Sequence, residues 1–231
     1  MIIERKAKIN IDEFKFGAEL LSTPADTIHE TMKTMIVMQQ VYSAAIREVS
    51  TKLEILDDEF QVKFAHNPIH HMESRLKQPQ SIREKLLRKG LTPDMKLATE
   101  HITDIAGIRV ICYYINDIYT IAEVLLKQDD ITLIKRSDYI ENPKSNGYRS
   151  LHLVVSVPVF LSEGTRNVPV EVQIRTIAMD FWASLEHRLK YKSDSPVKDD
   201  LQRELAECAE SITDIDEKMQ SIYVQLNSKL E

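Results

Sequence analysis

Glycine is scarce in this sequence: five residues among 231, with eight prolines beside them. So little of either leaves hardly any room for a long flexible linker and points to one compact body with helical appendages. Long apolar runs are missing too. None approaches the ~18–20 residues that a membrane helix needs, so no membrane partner is expected. The opening MIIERKAKIN is charged within its first few residues and lacks the apolar core of a secretory signal, which makes the cytoplasm the expected location. Cysteine is nearly absent. Cys112 and Cys208 lie far apart, match no metal-ligand spacing and read as buried thiols in a reducing compartment. No internal repeat or low-complexity segment interrupts the chain.

An overall basic character is also lacking; the net charge is −6, and it is unevenly placed. Residues 193–231 hold ten acidic and four basic side chains, which leaves residues 1–192 formally neutral. Yet RLKQPQSIREKLLRK (75–89) carries six basic residues against one glutamate. A basic patch on a neutral body suits a phosphorylated ligand better than a long nucleic acid; RNA is not indicated, though not excluded.

What is present suffices for a core: 43% apolar and 29% charged residues. Thr23 as cap, Pro24 at the first helical position and Asp26 in the first turn open a long helix. Apolar residues recur at 28, 32, 35, 42, 46, 49, 53, 56 and 60, nearly a continuous seam, and HNPIHH ends it at Pro68. A short helix follows, with Ser81 and Glu84 as a capping box and Gly90 and Pro93 at its end. Lys85, Arg88 and Lys89 share one side of it. AGIRVICYY (106–114) reads as a buried strand, 116–128 as a helix capped by Asn116, and 131–136 as another strand. NPKSNGYRS is a loop, and LHLVVSVPV (151–159) and VPVEVQIRT (168–176) are strands that pair antiparallel across LSEGTRN. IAMDFWASLEHRLKYK is a helix with Ala178, Trp182, Leu185 and Leu189 inward. A final helix has apolar positions 201, 205, 208, 212, 215, 219, 222, 226 and 230. The expected fold class is α+β: a mixed sheet of four or five strands wrapped by helices, between long N- and C-terminal helices.

VPVEVQIRT is apolar on one side only. Val170, Val172 and Ile174 alternate with Glu171, Gln173 and Arg175, so three polar groups share one face. Asp104 stands at the entrance to the strand 106–114, and Arg109 breaks that strand's apolar run with a fixed positive charge. Lys144, Tyr148, Arg149 and His152 crowd around one glycine in the loop. Two acids from two strands that meet across a sheet suit Mg²⁺, which takes one or two carboxylates plus water and phosphate oxygens. The other reading is plain: Asp104 caps a turn and pairs with Arg109, while Glu171 faces water. The residues alone leave both open.

HITDIAGIRV, NPKSNGYRSLHLVV and PVEVQIRTIAMDFWASLEH, in this order and behind a basic helix, resemble the synthetase domain of the RelA/SpoT-type alarmone synthetases, over roughly residues 40–192. The short length resembles the small alarmone synthetases, with NPIHHMESR and MDFWASLEHRLKYK closer to the RelP type than to RelQ. The resemblance implies a single synthetase domain over 1–231: a helical part at 1–70, a catalytic core at 71–192 and a terminal helix at 193–231. No His-Asp dyad marks a hydrolase, so synthesis alone is expected.

The family's reaction moves the β,γ-pyrophosphate of ATP to the 3′-hydroxyl of GDP or GTP and releases AMP. Two polyanions must meet, so catalysis is positioning and charge neutralisation. By resemblance, Asp104 and Glu171 are the catalytic pair and hold Mg²⁺, and Glu171 helps remove the hydroxyl proton. Arg75 and Arg109 sandwich the adenine, while Lys85 and Arg88 grip the ATP phosphates. Tyr148 stacks on the acceptor guanine, Lys144 and His152 contact its 5′-phosphates, and Gln173 helps hold it. Asp180 either accepts from the guanine edge or serves its helix N-terminus. Without the resemblance, Arg75 and Lys85 would read as an exposed helix surface. His66, His70 and His71 do not make a zinc site, because Pro68 spoils the register; Trp182 and the methionines of the first helix read as packing. The seams of the two terminal helices predict a homo-oligomer, the tetramer of the small family members. The rivals are a non-catalytic guanine-nucleotide or RNA-binding module and a different nucleotidyltransferase-like activity; the acidic pair argues against the first, and Tyr148 with its loop against the second.

Overall fold

The computed structural model describes residues 25–192 and 199–228, with the side chains of 33–189 and 203–228. The expected cap at Thr23, Pro24, and the side chains of seam positions 28, 32, 201 and 230 lie outside the described residues. The chain divides into two units, Met1–Met38 and Gln39–Glu231. Of the first, the structure describes the opening turns of helix α1 (Ala25–Lys63). All that follows concerns the second.

Five strands form one mixed sheet in the order β1-β2-β5-β4-β3. These are β1 (Ile69–Leu76), β2 (Ala106–Cys112), β3 (Thr132–Asp138), β4 (Leu151–Leu161) and β5 (Gly164–Thr176). Only β2 and β5 run parallel; the other neighbours are antiparallel. The β-branched rows Ile108 and Val110 of β2, and Val170, Val172 and Ile174 of β5, are buried, as strands at the centre of a sheet require. Helix α4 (Ile115–Leu126) packs on β2 and β5 with Ile118, Ile121, Ala122 and Leu125 buried. On α1, Val41, Tyr42, Ala45, Ile46, Val49 and Leu53 form the buried stripe. Among the described residues, no helix is long and apolar enough to cross a membrane.

Several expectations need correction. IHHMESRL is an edge strand, β1, not a tail to the first helix, and Arg75 therefore stands on a strand. Its polar, mostly exposed residues carry no alternating apolar signal. Helix α2 (Pro79–Arg88) starts at Pro79 behind Gln78, so Ser81 is inside it and forms no cap; Glu84 accepts instead from Gln80, at 3.0 Å. Its end is as expected. Gly90, at φ +72, allows Leu91 N–H to reach back to Leu86 O at 3.0 Å. A seven-residue helix, α3 (Met95–His101), was not foreseen; Asp94 caps it by accepting from the N–H groups of Lys96 and Leu97. Tyr114, not Asn116, caps α4, and the Asp117 carboxylate accepts from Tyr114 N–H at 3.0 Å. The β4–β5 hairpin is tighter than LSEGTRN suggested, with Leu161 paired to Gly164.

On α5 (Ile177–Lys192), Met179, Trp182, Ala183 and Glu186 are buried, whereas Leu185 and Leu189 are exposed beside Phe181. On α6 (Asp199–Asn227), Ala209 and Asp216 are buried. Of its expected seam, Leu205 and Ile212 are partly buried against Trp182 and Ala209, whereas Ile215, Met219, Ile222 and Leu226 are exposed. Cys208 is exposed as well; only Cys112 is a buried thiol, and burial pushes its pKa far up.

Candidate active site

Strand register gathers the polar residues onto one face of the sheet. Glu171 stands opposite Gly107 and Gln173 opposite Arg109; Arg75 and Glu73 of β1 stand opposite those same two β2 residues. On the other side, His152 of β4 pairs with Gln173. Gly107 contributes no side chain, so the sheet dips between Arg75 and Glu171. The resulting cleft is walled by Glu73, Arg75, Lys77, Asp104, Arg109, Glu171 and Gln173.

Asp104 sits in the turn before β2, anchored on both sides by fully buried Ile102 and Ile105. The β1–β2 ladder continues through Lys77 N–H to Ile105 O at 2.8 Å, which sets Lys77 beside it. The ammonium groups of Lys77 and Lys85 converge on Asp104 Oδ2 at 2.5 and 2.7 Å. Burial alone would raise this carboxyl's pKa; the two lysines overcome it and hold the group below the ordinary aspartate value. Asp104 Oδ1 is buried and has no hydrogen-bond partner. A carboxylate oxygen left bare beside a second carboxylate is a place for a hard cation.

Glu171 accepts from Gln173 Nε2 at 2.7 Å on Oε2 and faces His152 Nδ1 at 3.3 Å on Oε1. Burial and the charge of Asp104 push its pKa up, but His152 and Gln173 prevail, so the group sits below the ordinary glutamate value. Glu171 therefore does not face open water. Nor does Asp104 pair with Arg109, whose Nη1 lies 3.1 Å from Glu73 Oε2 and 3.4 Å from Asp180 Oδ1. The plain reading of the two acids fails on both counts.

A second cluster adjoins the cleft. Lys144 Nζ lies 4.4 Å from the ring centre of Tyr139 and 4.7 Å from that of Tyr148, close enough for cation–π attraction. Tyr148 packs on Trp182, Ala183 and Ala209, and its hydroxyl lies 2.8 Å from His152 Nε2. Burial raises its pKa. The loop before it closes through Gly147 N–H to Lys144 O at 2.8 Å. Gly147 has φ +84, and a Cβ there would come within 2.3 Å of Ala209 Cβ, so glycine is required twice over. Asp180, in the first turn of α5, accepts from Arg109 and Arg175.

The structure thus brings together Asp104, Glu171, Arg75, Lys85, Arg109 and Gln173 around one cleft, with Lys144, Tyr148, His152 and Asp180 beside it. Arg88 is exposed, one turn further along α2, and does not line the cleft. Sequence reasoning missed the roles of Lys77 and Arg175. The first was hidden in the basic run 75–89; the second was visible only as part of a polar strand face. His66 lies apart from the cleft, on Asp117 at 3.0 Å, in a nest of Tyr113, Tyr114 and Tyr223.

Residues 74–196 match the family model described as the region found in RelA / SpoT proteins. The GTP pyrophosphokinase YwaC of Bacillus subtilis is 46% identical over 201 residues, covering 87% of this chain and 94% of that protein. The crystal structure of small alarmone synthetase 2 from Bacillus subtilis superposes with a TM-score of 0.76 at 46% identity, covering 83% of this chain and 98% of that one. Small alarmone synthetase 1 from the same organism, bound to its product pppGpp, gives 0.78 at 34% identity, covering 84% and 98%. With more than half the chain matched by the family model and nearly the full length of a close relative aligned, this chain belongs to the RelA/SpoT family.

Proposed function

We propose that this chain transfers the β,γ-pyrophosphate of ATP to the 3′-hydroxyl of GDP or GTP, releasing AMP and making (p)ppGpp. The observation that carries this reading is the convergence of Asp104 and Glu171, remote in sequence, on one cleft rimmed by lysine and arginine. Arg75 and Arg109 flank the adenine, since planar guanidinium groups stack on a π-face. Lys77 and Lys85 take the ATP phosphates, which replace Asp104 as the partner of their ammonium groups, while Arg88, outside the cleft, is left without a contact to them. Lys144 and His152 hold the acceptor's 5′-phosphates, Tyr148 stacks on its guanine, and Gln173 and Asp180 complete its pocket. Asp104 and Glu171 fit Mg²⁺: both offer hard carboxylate oxygens, and Asp104 Oδ1 has no protein partner. When bound, the ion would neutralise phosphate charge and polarise the transferred group. Glu171 receives the 3′-hydroxyl proton; as a carboxylate it is a weak base for an alcohol, so its fixed position matters more than its basicity.

The exposed apolar stripes Phe181–Leu185–Leu189 on α5 and Ile215–Met219–Ile222–Leu226 on α6 support a homo-oligomer, a tetramer built through the terminal helices. The cytoplasm, where ATP and guanine nucleotides meet, is the site of action.

The test is incubation with labelled ATP, Mg²⁺ and each guanine nucleotide, with separation of the products. AMP in step with a 3′-pyrophosphorylated guanosine supports the reading, and Asp104→Asn and Glu171→Gln should each slow it about 10³-fold or more. No guanosine product, or full turnover in either variant, overturns it.

A further inference from the structure

Arg175 is buried to 2% exposure, on the same strand face as Glu171 and Gln173. Its Nη2 donates to Gln173 Oε1 at 2.6 Å and to Tyr148 Oη at 2.9 Å; its Nη1 donates to Asp180 Oδ1 at 3.3 Å. A guanidinium only donates. Each of these bonds therefore has a known direction, and the directions propagate.

Gln173 must turn its carbonyl oxygen to Arg175, which leaves its NH₂ for Glu171 Oε2. A flipped amide would set N–H against N–H on one side and oxygen against carboxylate on the other. Tyr148 Oη, having accepted from Arg175, has one proton to give, and His152 Nε2 lies 2.8 Å away. A His152 ring that accepts at Nε2 carries its proton on Nδ1, the nitrogen that faces Glu171 Oε1 at 3.3 Å. Both oxygens of Glu171 then meet N–H donors.

We propose that Arg175 is a positioning residue that orders the protons of this cluster, fixing the Gln173 amide and the His152 tautomer so that Glu171 receives two hydrogen bonds in one orientation. Its value to catalysis rests on the reading of Glu171 as the group that receives the acceptor's proton; the proton order itself does not. One competitor exists within the cluster. Ser150 also interacts with the Tyr148 hydroxyl, while its own proton goes to Ile174 O at 3.2 Å. Were the Tyr148 proton given to Ser150, His152 would carry its proton on Nε2 and turn a lone pair toward Glu171.

The test is ¹⁵N NMR of the histidine side chains in the unliganded full-length protein at about pH 8, above the ordinary histidine range, with His152 assigned by its loss in His152→Gln. Wild type is expected to show the Nδ1–H tautomer, and Arg175→Met a mixture. AMP formation in Arg175→Met is expected to slow about 10–100-fold, as for other outer-shell partners, with KM for ATP unchanged. Should Arg175→Met fail to fold, Tyr148→Phe keeps the ring, deletes the relaying oxygen, and is expected to release the same tautomer mixture. An Nε2–H tautomer in wild type, or an unchanged Nδ1–H tautomer in a folded Arg175→Met, overturns the proposal. The expected tautomers in a protein that makes no AMP would uphold the proton order and overturn the activity instead.

Discussion

Lys85 Nζ lies 2.7 Å from Asp104 Oδ2, so an ammonium from α2 neutralises the carboxylate at the threshold of β2. Lys77 does the same from β1. Without nucleotide, the groups proposed to hold phosphate and the group proposed to hold the cation satisfy each other. Binding then exchanges partners and leaves no buried charge unpaired, which in a half-buried site costs far less than stripping a lone carboxylate.

The exchange predicts a substrate-selective defect. In Lys85→Met, one charged contact to the ATP phosphates is lost, about 1.5–3 kcal/mol for a hydrogen bond to a charged group. The specificity constant for ATP should fall about tenfold to a hundredfold, with KM for the guanine nucleotide unchanged, as measured by AMP release at varied ATP and saturating acceptor. An unaltered specificity constant for ATP would remove Lys85 from the phosphate site.

Gly147→Ala should damage the acceptor side selectively. A side chain at φ +84 costs about 1–2 kcal/mol in the left-handed region, and the new methyl would meet Ala209 on α6. The loop carrying Lys144 and Tyr148 must shift. A lower melting temperature and a raised KM for GDP or GTP are expected, with KM for ATP held. Adding Ala209→Gly removes the collision but not the backbone strain, so recovery should be partial. Complete recovery would mean the backbone strain counts for nothing.

Much of this was legible in the chain. The alternation of VPVEVQIRT revealed a strand with one polar face, and the apolar run of 106–114 revealed a second strand, though not that the two lie side by side. What escaped notice shares a physical cause. β1 is an edge strand whose residues face solvent or cleft, so burial leaves no period-two pattern in it. The apolar stripe on α6 is periodic in the sequence, but periodicity gives a face and not its partner. The helix turns Ala209, Asp216 and their neighbours to the body and Ile215, Met219 and Ile222 outward. Arg175 escaped because an arginine on a strand reads as solvated until three acceptors are seen around it.

That outward face yields a prediction on assembly. Ile222 and Met219 are 51% and 49% exposed, an apolar stripe that water disfavours at about 25 cal/mol per Å². Met219→Glu with Ile222→Glu should shift sedimentation of the purified protein to a smaller species at micromolar concentration without changing its circular dichroism. An unchanged species would place the interface elsewhere or nowhere.

Asp216 offers a test in which pH sets the sign. Its carboxylate is buried where α6 meets the end of β5, accepting from Thr176 Oγ1 at 2.7 Å. Burial raises its pKa; Thr176 and the charge of Arg149 pull it back without cancelling the rise. The folded chain therefore holds this proton more tightly than the unfolded one. Between the unfolded value, ~3.9, and the raised folded value, the native state binds more protons, so stability falls as pH climbs through that window. The contribution is fully present below the unfolded value and gone above the folded one. Asp216→Asn keeps an acceptor for Thr176 and has nothing to titrate. In urea titrations its midpoint should exceed that of wild type at about pH 8, and the gap should narrow as pH falls toward ~4. Other titrating groups drop out of the difference between the two proteins. A gap that is constant with pH would mean the Asp216 carboxyl is not perturbed; a variant less stable at every pH would mean that the charge on Asp216 helps to hold α6 in place.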